Sequence, residues 1–259
     1  MDRLDRAALQ DVVDLSLWAG QLVMQRGADS TRIERTVHRI GTGLGCNWMD
    51  ILVSPNVIIV TTSSGDEFRT KVRRVVRIGV DFAALAAISK LTHQVMAGQM
   101  DRFALRAALQ AIDHQPAHYP RGVVVTMVGL ACAAFSQLFG GDAPIFFVTW
   151  LAASAAMFAR QALQRRHFNP FLVVLGTAFV AGLLGSLGTV QDLSETPRVA
   201  LMASVLLLVP GVPLINAAED LLEGHVVMGL VRGVNGGLTS LAIAVGLLLA
   251  MRLVGVEGL

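Results

Sequence analysis

The sequence predicts an α-helical integral membrane protein with about five transmembrane helices, preceded by a cytoplasmic α+β domain. Three observations predict it. From Gly122 onward the chain is a succession of long apolar stretches, and the first, Gly122–Phe139, carries no charge. Charge is gathered at the other end, with 15 of the 21 Lys+Arg and 12 of the 19 Asp+Glu inside residues 1–121. Over the whole chain 54% of residues are hydrophobic and only 15% charged, away from soluble averages. An apolar run of that length nearly spans the hydrocarbon core as a helix, which satisfies its own backbone groups where water is absent. The expected division is 1–118 facing water and 119–259 in the lipid bilayer.

Taken in order, Leu9, Val13, Leu17, Gly20 and Met24 fall at helical spacing, and Gly27 is a stop signal. Thr31 followed by Glu34 fits a capping box opening a second helix, which ends near Gly41 to Gly45. The β-branched run Val57–Thr62, the turn Ser63-Ser64-Gly65-Asp66 and the alternating Phe68, Thr70 and Val72 predict a hairpin. Phe82, Leu85, Ile88 and Val95 mark a third helix, and Asp101 to Ile112 a fourth. The basic residues Arg69, Lys71, Arg73, Arg74 and Arg77 are expected to form a solvated face or to meet anionic lipid headgroups. With no aromatic interleaving and a net charge of +2, they do not indicate a nucleic-acid partner.

His114–Arg121, with two prolines, marks the boundary. Beyond it five spans are expected: Gly122–Phe139, Ala143–Ala159, Pro170–Val190, Val199–Ala217 and Gly233–Met251. Arg160, Arg165 and Arg166 follow the second span, whereas the first connection has no Lys or Arg and the third only Arg198. The positive-inside rule then places that connection and the N-terminal domain in the cytoplasm, with the C-terminus outside. The N-terminus lacks the apolar core of a signal peptide. Small residues recur at four-residue spacing in Ala178/Gly182/Ser186, Ala152/Ala156 and Gly233/Gly237, where helices approach closely within the chain.

The segment Ser204–Asn216 carries the densest chemistry. Pro210 and Pro213 are expected to break the fourth span near its middle and to free carbonyls that transporters use to line a cavity. Asn216 and Asp220 lie one turn apart on the same side. Arg160 shares a face with Ala152 and Ala156, and a guanidinium there either pairs with a carboxylate or reaches to headgroups. Cys46 and Cys132 fall one in each part with no metal-ligand spacing. The histidines are scattered, no HExxH or GxSxG motif occurs, and neither a metal, a cofactor nor an enzymatic activity is expected.

Four stretches resemble the threonine/serine exporter family, in its split two-component form: Gly27-Ala28-Asp29-Ser30, Ser54–Thr62, Met157–Gln161 and, above all, Ser204–Asn216 with Asp220 and Gly224-His225. The resemblance covers about residues 10 to 250. It implies a cytoplasmic domain, about five spans and a second, smaller membrane module. Because this sequence stops after the fifth span, a separate small integral membrane protein is expected to supply that module as partner.

The resulting expectation is a subunit of a secondary exporter for small carboxylate-bearing metabolites, foremost threonine and serine. A succinate or dicarboxylate exporter subunit is the alternative, and a regulatory or scaffold subunit of a separate pore is another. The expected substrate-binding residues are Arg160, Ser204, Pro210, Gly211, Pro213, Asn216 and Asp220. Arg160 would attract the carboxylate and Asn216 donate hydrogen bonds. Asp220 would carry a coupling proton or hold a substrate ammonium.

Overall fold

The computed structural model describes residues 4–64, 67–76, 79–114, 119–187, 196 and 198–255. The chain divides into two compact units, Met1–Pro116 with Gly211–Val234, and Ala117–Pro210 with Asn235–Leu259. The first contributes α1 (Arg6–Gln25), α2 (Ser30–Gly43), the strands β1 (Trp48–Ser54), β2 (Val57–Ser64) and β3 (Glu67–Arg74), then α3 (Phe82–Met96) and α4 (Arg102–Asp113). The second holds α5 (Arg121–Leu138), α6 (Ala143–Arg165), α7 (Pro170–Gly185), α8 (Arg198–Ser204) and a 3-10 turn, Leu206–Leu208. The chain returns to the first unit with α9 (Gly211–Leu222), and α10 (Val226–Val254) runs from the first unit into the second. Gly65 and Asp66 of the expected turn, Arg77, residues 115–118 of the boundary and most of the third connection lie outside the described residues.

In the first unit α1 buries Leu9, Val12, Leu15, Leu17, Leu22 and Met24, more than one stripe, and so sits at the centre of the core. The sheet is an antiparallel meander in the order β1-β2-β3. Along β2, Ile58, Val60 and Thr62 are buried and the residues between them are not, the period-two pattern of a sheet covered on one face. On β3 this pattern runs against expectation. Phe68 and Val72 face outward, while Lys71 forms an ion pair with Asp14 and Arg73 Nη1 donates to the Asp14 carbonyl at 3.2 Å. These two basic residues are tied to α1, where Asp14 supplies the countercharge.

Among the described residues, five helices start on an aspartate whose carboxylate accepts the N–H three residues on: Asp5 from Ala8, Asp29 from Arg32, Asp81 from Ala84, Asp101 from Ala104 and Asp142 from Ile145. The capping box expected at Thr31 and Glu34 is corrected accordingly. Asp29 stands in extended backbone just before the helix and caps it, and Thr31 is already in the first turn. Gly27 does end α1, with φ +90°, and a Cβ there would lie 2.7 Å from the Gly79 carbonyl oxygen.

Among the described residues, three helices are long and apolar enough to cross a membrane: α5, α6 and α10. The broken pair Arg198–Leu208 and Gly211–Leu222 raises the number to four if counted as one span. The third expected span, Pro170–Val190, corresponds to α7, which is apolar but has 16 residues in its helix; residues 188–190 lie outside the described ones. At 1.5 Å per residue that is about 24 Å, short of a core of about 30 Å. Two other boundaries move. Helix α6 continues through Arg160 to Arg165, and α10 begins at Val226 where a connection was expected.

The second unit packs on small residues. Ala152, Ala156, Ala178 and Ala181 are fully buried, and a Cβ on Gly182 would meet Ala250 Cβ at 2.9 Å. A Cβ on Gly246 would stand 2.5 Å from the Leu175 carbonyl oxygen, so the backbones of α7 and α10 approach closely there. Gly237 has open space around it and takes no part in this packing.

Candidate functional site

Proline chemistry sets the break. The residue before a proline is pushed out of the helical region, and Val209 adopts φ −56° and ψ 122°. The 3-10 turn at Leu206–Leu208 therefore ends there, and Gly211 opens a new helix. Only Pro210 lies in the break. Pro213 falls in the first turn of α9, where an N–H has no intrahelical partner and its absence is tolerated.

The break frees a carbonyl, and an arginine answers it. Arg160, in the interior of α6, donates from Nη1 to the Leu207 carbonyl at 3.3 Å. A guanidinium carries five N–H donors, so most of its capacity remains for another acceptor. Among the described residues no carboxylate lies within ion-pair distance of it. Ser204, fully buried, has two carbonyls in reach of its one hydroxyl proton, Leu201 at 2.9 Å and Ala181 at 3.3 Å. Around them Ala156, Ala178, Val205, Leu208 and Ile243 form an apolar cluster.

The remaining candidates lie in the first unit, where they grip the Gly27-Ala28-Asp29-Ser30 segment. Asn216 Nδ2 donates to the Gly27 carbonyl at 2.8 Å, and Arg232 Nη2 to the Ala28 carbonyl at 2.7 Å. Asp220 Oδ1 accepts the Ser30 N–H at 2.8 Å, and its Oδ2 stands 2.9 Å from Arg232 Nη1, an ion-pair contact without hydrogen-bond alignment. Two carboxylates, Asp29 and Asp220, thus meet the N-terminus of α2, where free N–H groups and the helix dipole favour negative charge. Beside this clasp the backbone N–H of His225 donates to the Asp220 carbonyl at 2.7 Å. The His225 ring lies 3.3 Å from Thr31 Oγ1 and 3.7 Å from Glu34. Burial raises the Glu34 carboxyl above its ordinary range, Asp50 and Glu223 add to this, and His225 opposes it.

The seven residues expected to bind substrate divide between the two units. Arg160, Ser204 and Pro210 belong to one; Gly211, Pro213, Asn216 and Asp220 belong to the other.

Residues 14–254 match the family described as "Putative threonine/serine exporter". The chain belongs to this exporter family. The "Probable succinate transporter subunit YjjP" of Escherichia coli (strain K12) is 34% identical over 249 residues, covering 95% of this chain and 96% of that protein. The Klebsiella aerogenes protein of the same name is 34% identical over 255 residues, 98% of each chain. The "Threonine/serine exporter" of Corynebacterium glutamicum is 21% identical over 233 residues, covering 86% of this chain and 47% of that protein. No solved structure matches the chain. The family is one of transporters, and its apolar helices make this member a membrane protein.

Sequence reasoning marked both halves of the clasp in this exporter-family chain without joining them. It singled out Gly27–Ser30 and Asn216 with Asp220, but missed Arg232, which links them. A signal was present: Arg232 stands alone in Val226–Gly237, otherwise free of charge, and an ionisable residue in an apolar helix requires a named partner.

Proposed function

We propose that this chain is the larger subunit of a secondary exporter for small carboxylate-bearing metabolites in a bacterial inner membrane, with its N-terminal unit in the cytoplasm. The observation that carries the reading is Arg160 beside the Pro210 break. A half-buried guanidinium with no acidic partner among the described residues and several free donors suits a carboxylate that must bind and leave. On this reading Ser204, Pro210, Gly211 and Pro213 shape the broken segment, and Asn216 contributes hydrogen bonds when its link to Gly27 opens. Asp220 takes up a coupling proton or a substrate ammonium only when its pair with Arg232 opens. Counting α7 as a span gives five crossings. Arg165 and Arg166 at the end of α6 support a cytoplasmic position for that end.

Two cargo readings each have an observation behind them. The relatives at 34% identity are named for succinate, which makes a dicarboxylate the first cargo to test. The family description and the Corynebacterium protein favour threonine and serine. The term "subunit" in the YjjP names supports a partner, and so does the coverage of under half of the Corynebacterium exporter. That partner would be a small integral membrane protein supplying the remaining module.

The test is efflux of labelled succinate, threonine and serine from preloaded cells, with the wild-type chain or Arg160→Ala expressed beside the partner. Arg160→Ala abolishes efflux and leaves membrane insertion intact on this reading. Efflux retained in the variant removes Arg160 from the site, and absence of efflux for all three substrates in wild type favours a regulatory subunit.

A further inference from the structure

Arg32, Arg35 and Arg39 are three and four residues apart on α2 and so share one face of that helix. They line a cavity of about 360 Å³ in the first unit, with Glu219 and Glu223 of α9 also in its wall. That volume is near the lower end of the roughly 300–1,000 Å³ of small-molecule sites. Among the described residues none of these five charged groups has an ion-pair partner. Asp29, also in the wall, is already engaged as the cap of α2. Thr31, Thr36, Ser89, Thr92 and His93 make up the rest of the lining, and the Thr36 and Thr92 hydroxyls donate to the carbonyls of Arg32 and Ile88, keeping lone pairs free for a donor.

Three unpaired cations and two unpaired anions around one small cavity select for a ligand with both charges. A dicarboxylate or phosphate satisfies the arginines and is repelled by the glutamates. An α-amino acid presents carboxylate and ammonium within one small molecule and satisfies both sets. We propose that this cavity binds a small α-amino acid as its zwitterion, with the carboxylate on Arg32, Arg35 and Arg39 and the ammonium on Glu219 and Glu223. The ligand then bridges α2 and α9, the two elements already joined by the Asp220–Ser30 bond. Occupancy reinforces that joint, and α9 is the helix that follows Pro210 directly. The site is separate from Arg160 and does not depend on which cargo crosses the membrane.

Calorimetric titration of the purified full chain with threonine, serine, succinate and inorganic phosphate tests this. Wild type and Arg160→Gln both bind threonine or serine saturably, and more tightly than succinate or phosphate. Arg35→Gln/Arg39→Gln and Glu219→Gln/Glu223→Gln each weaken amino-acid binding by about tenfold or more, since each removes charge-assisted contacts. The second double variant also strengthens succinate binding, a gain that misfolding does not produce. No saturable amino-acid binding, binding lost in Arg160→Gln, or indifference to both double variants overturns the proposal. Loss of efflux in Arg160→Gln with this binding intact bears on the transport reading alone.

Discussion

Asp220 shows how much one side chain is asked to do. It is fully buried, accepts from the first N–H of α2 and balances Arg232, whose own donor also holds the Ala28 carbonyl. Removing one partner of a buried pair leaves the other charge uncompensated, at a cost of about 3–5 kcal/mol. Asp220→Asn is expected to lower the thermal unfolding temperature of the purified protein sharply, and adding Arg232→Met to recover part of the loss. A single variant as stable as wild type would show that the pair contributes little. Glu34 gives a prediction in pH. Its carboxyl is held above the ordinary value of 4.5, chiefly by burial, so the folded chain binds this proton more tightly than the unfolded chain. The stability it adds is full below 4.5 and declines as pH rises through the raised folded value. Glu34→Gln is expected to flatten that decline in melts across the acidic range; an unchanged slope assigns the dependence to other groups.

At the scale of elements, the break between the 3-10 turn and α9 is the feature that proline chemistry wrote most directly. Pro210 forces Val209 into extended backbone, and Arg160 meets a carbonyl the break leaves free. Pro210→Ala restores an N–H and removes the clash with the preceding turn, which favours a continuous helix. Efflux is expected to fall while insertion and expression stay near wild type; unchanged efflux would make the break a packing detail. The contrasting element is β3, where alternation was legible but its direction was not. Charged and apolar residues alternate along it, and only the presence of Asp14 on α1 decided that Lys71 and Arg73 turn inward.

At the scale of the whole molecule, the prediction concerns assembly. Expression of this chain together with the proposed small membrane partner is expected to give efflux of a carboxylate-bearing substrate, and either chain alone to give none. Efflux from this chain alone would show a self-sufficient transporter. The compact units place Gly211–Val234 with the N-terminal residues, so the segment after Pro210 belongs to the same unit as the Gly27–Ser30 loop. Within that unit Asn216, Asp220 and Arg232 bond to Gly27, Ser30 and Ala28.

The sequence by itself determined the helical membrane class, the helices around Phe82–Val95 and Asp101–Ile112 in outline, the Pro210 break and the candidate Arg160. These depend on local terms: hydropathy over one helix length, the missing proline N–H, and charge in an apolar run. Tertiary structure decided what joins residues far apart in the chain. It made Asp29 and not Thr31 the cap of α2 and brought Asp220 and Arg232 onto the Gly27–Ser30 loop. The physical reason is that a buried polar group must find a partner. Which partner it finds depends on how helices pack in space, and no local pattern of residues encodes that.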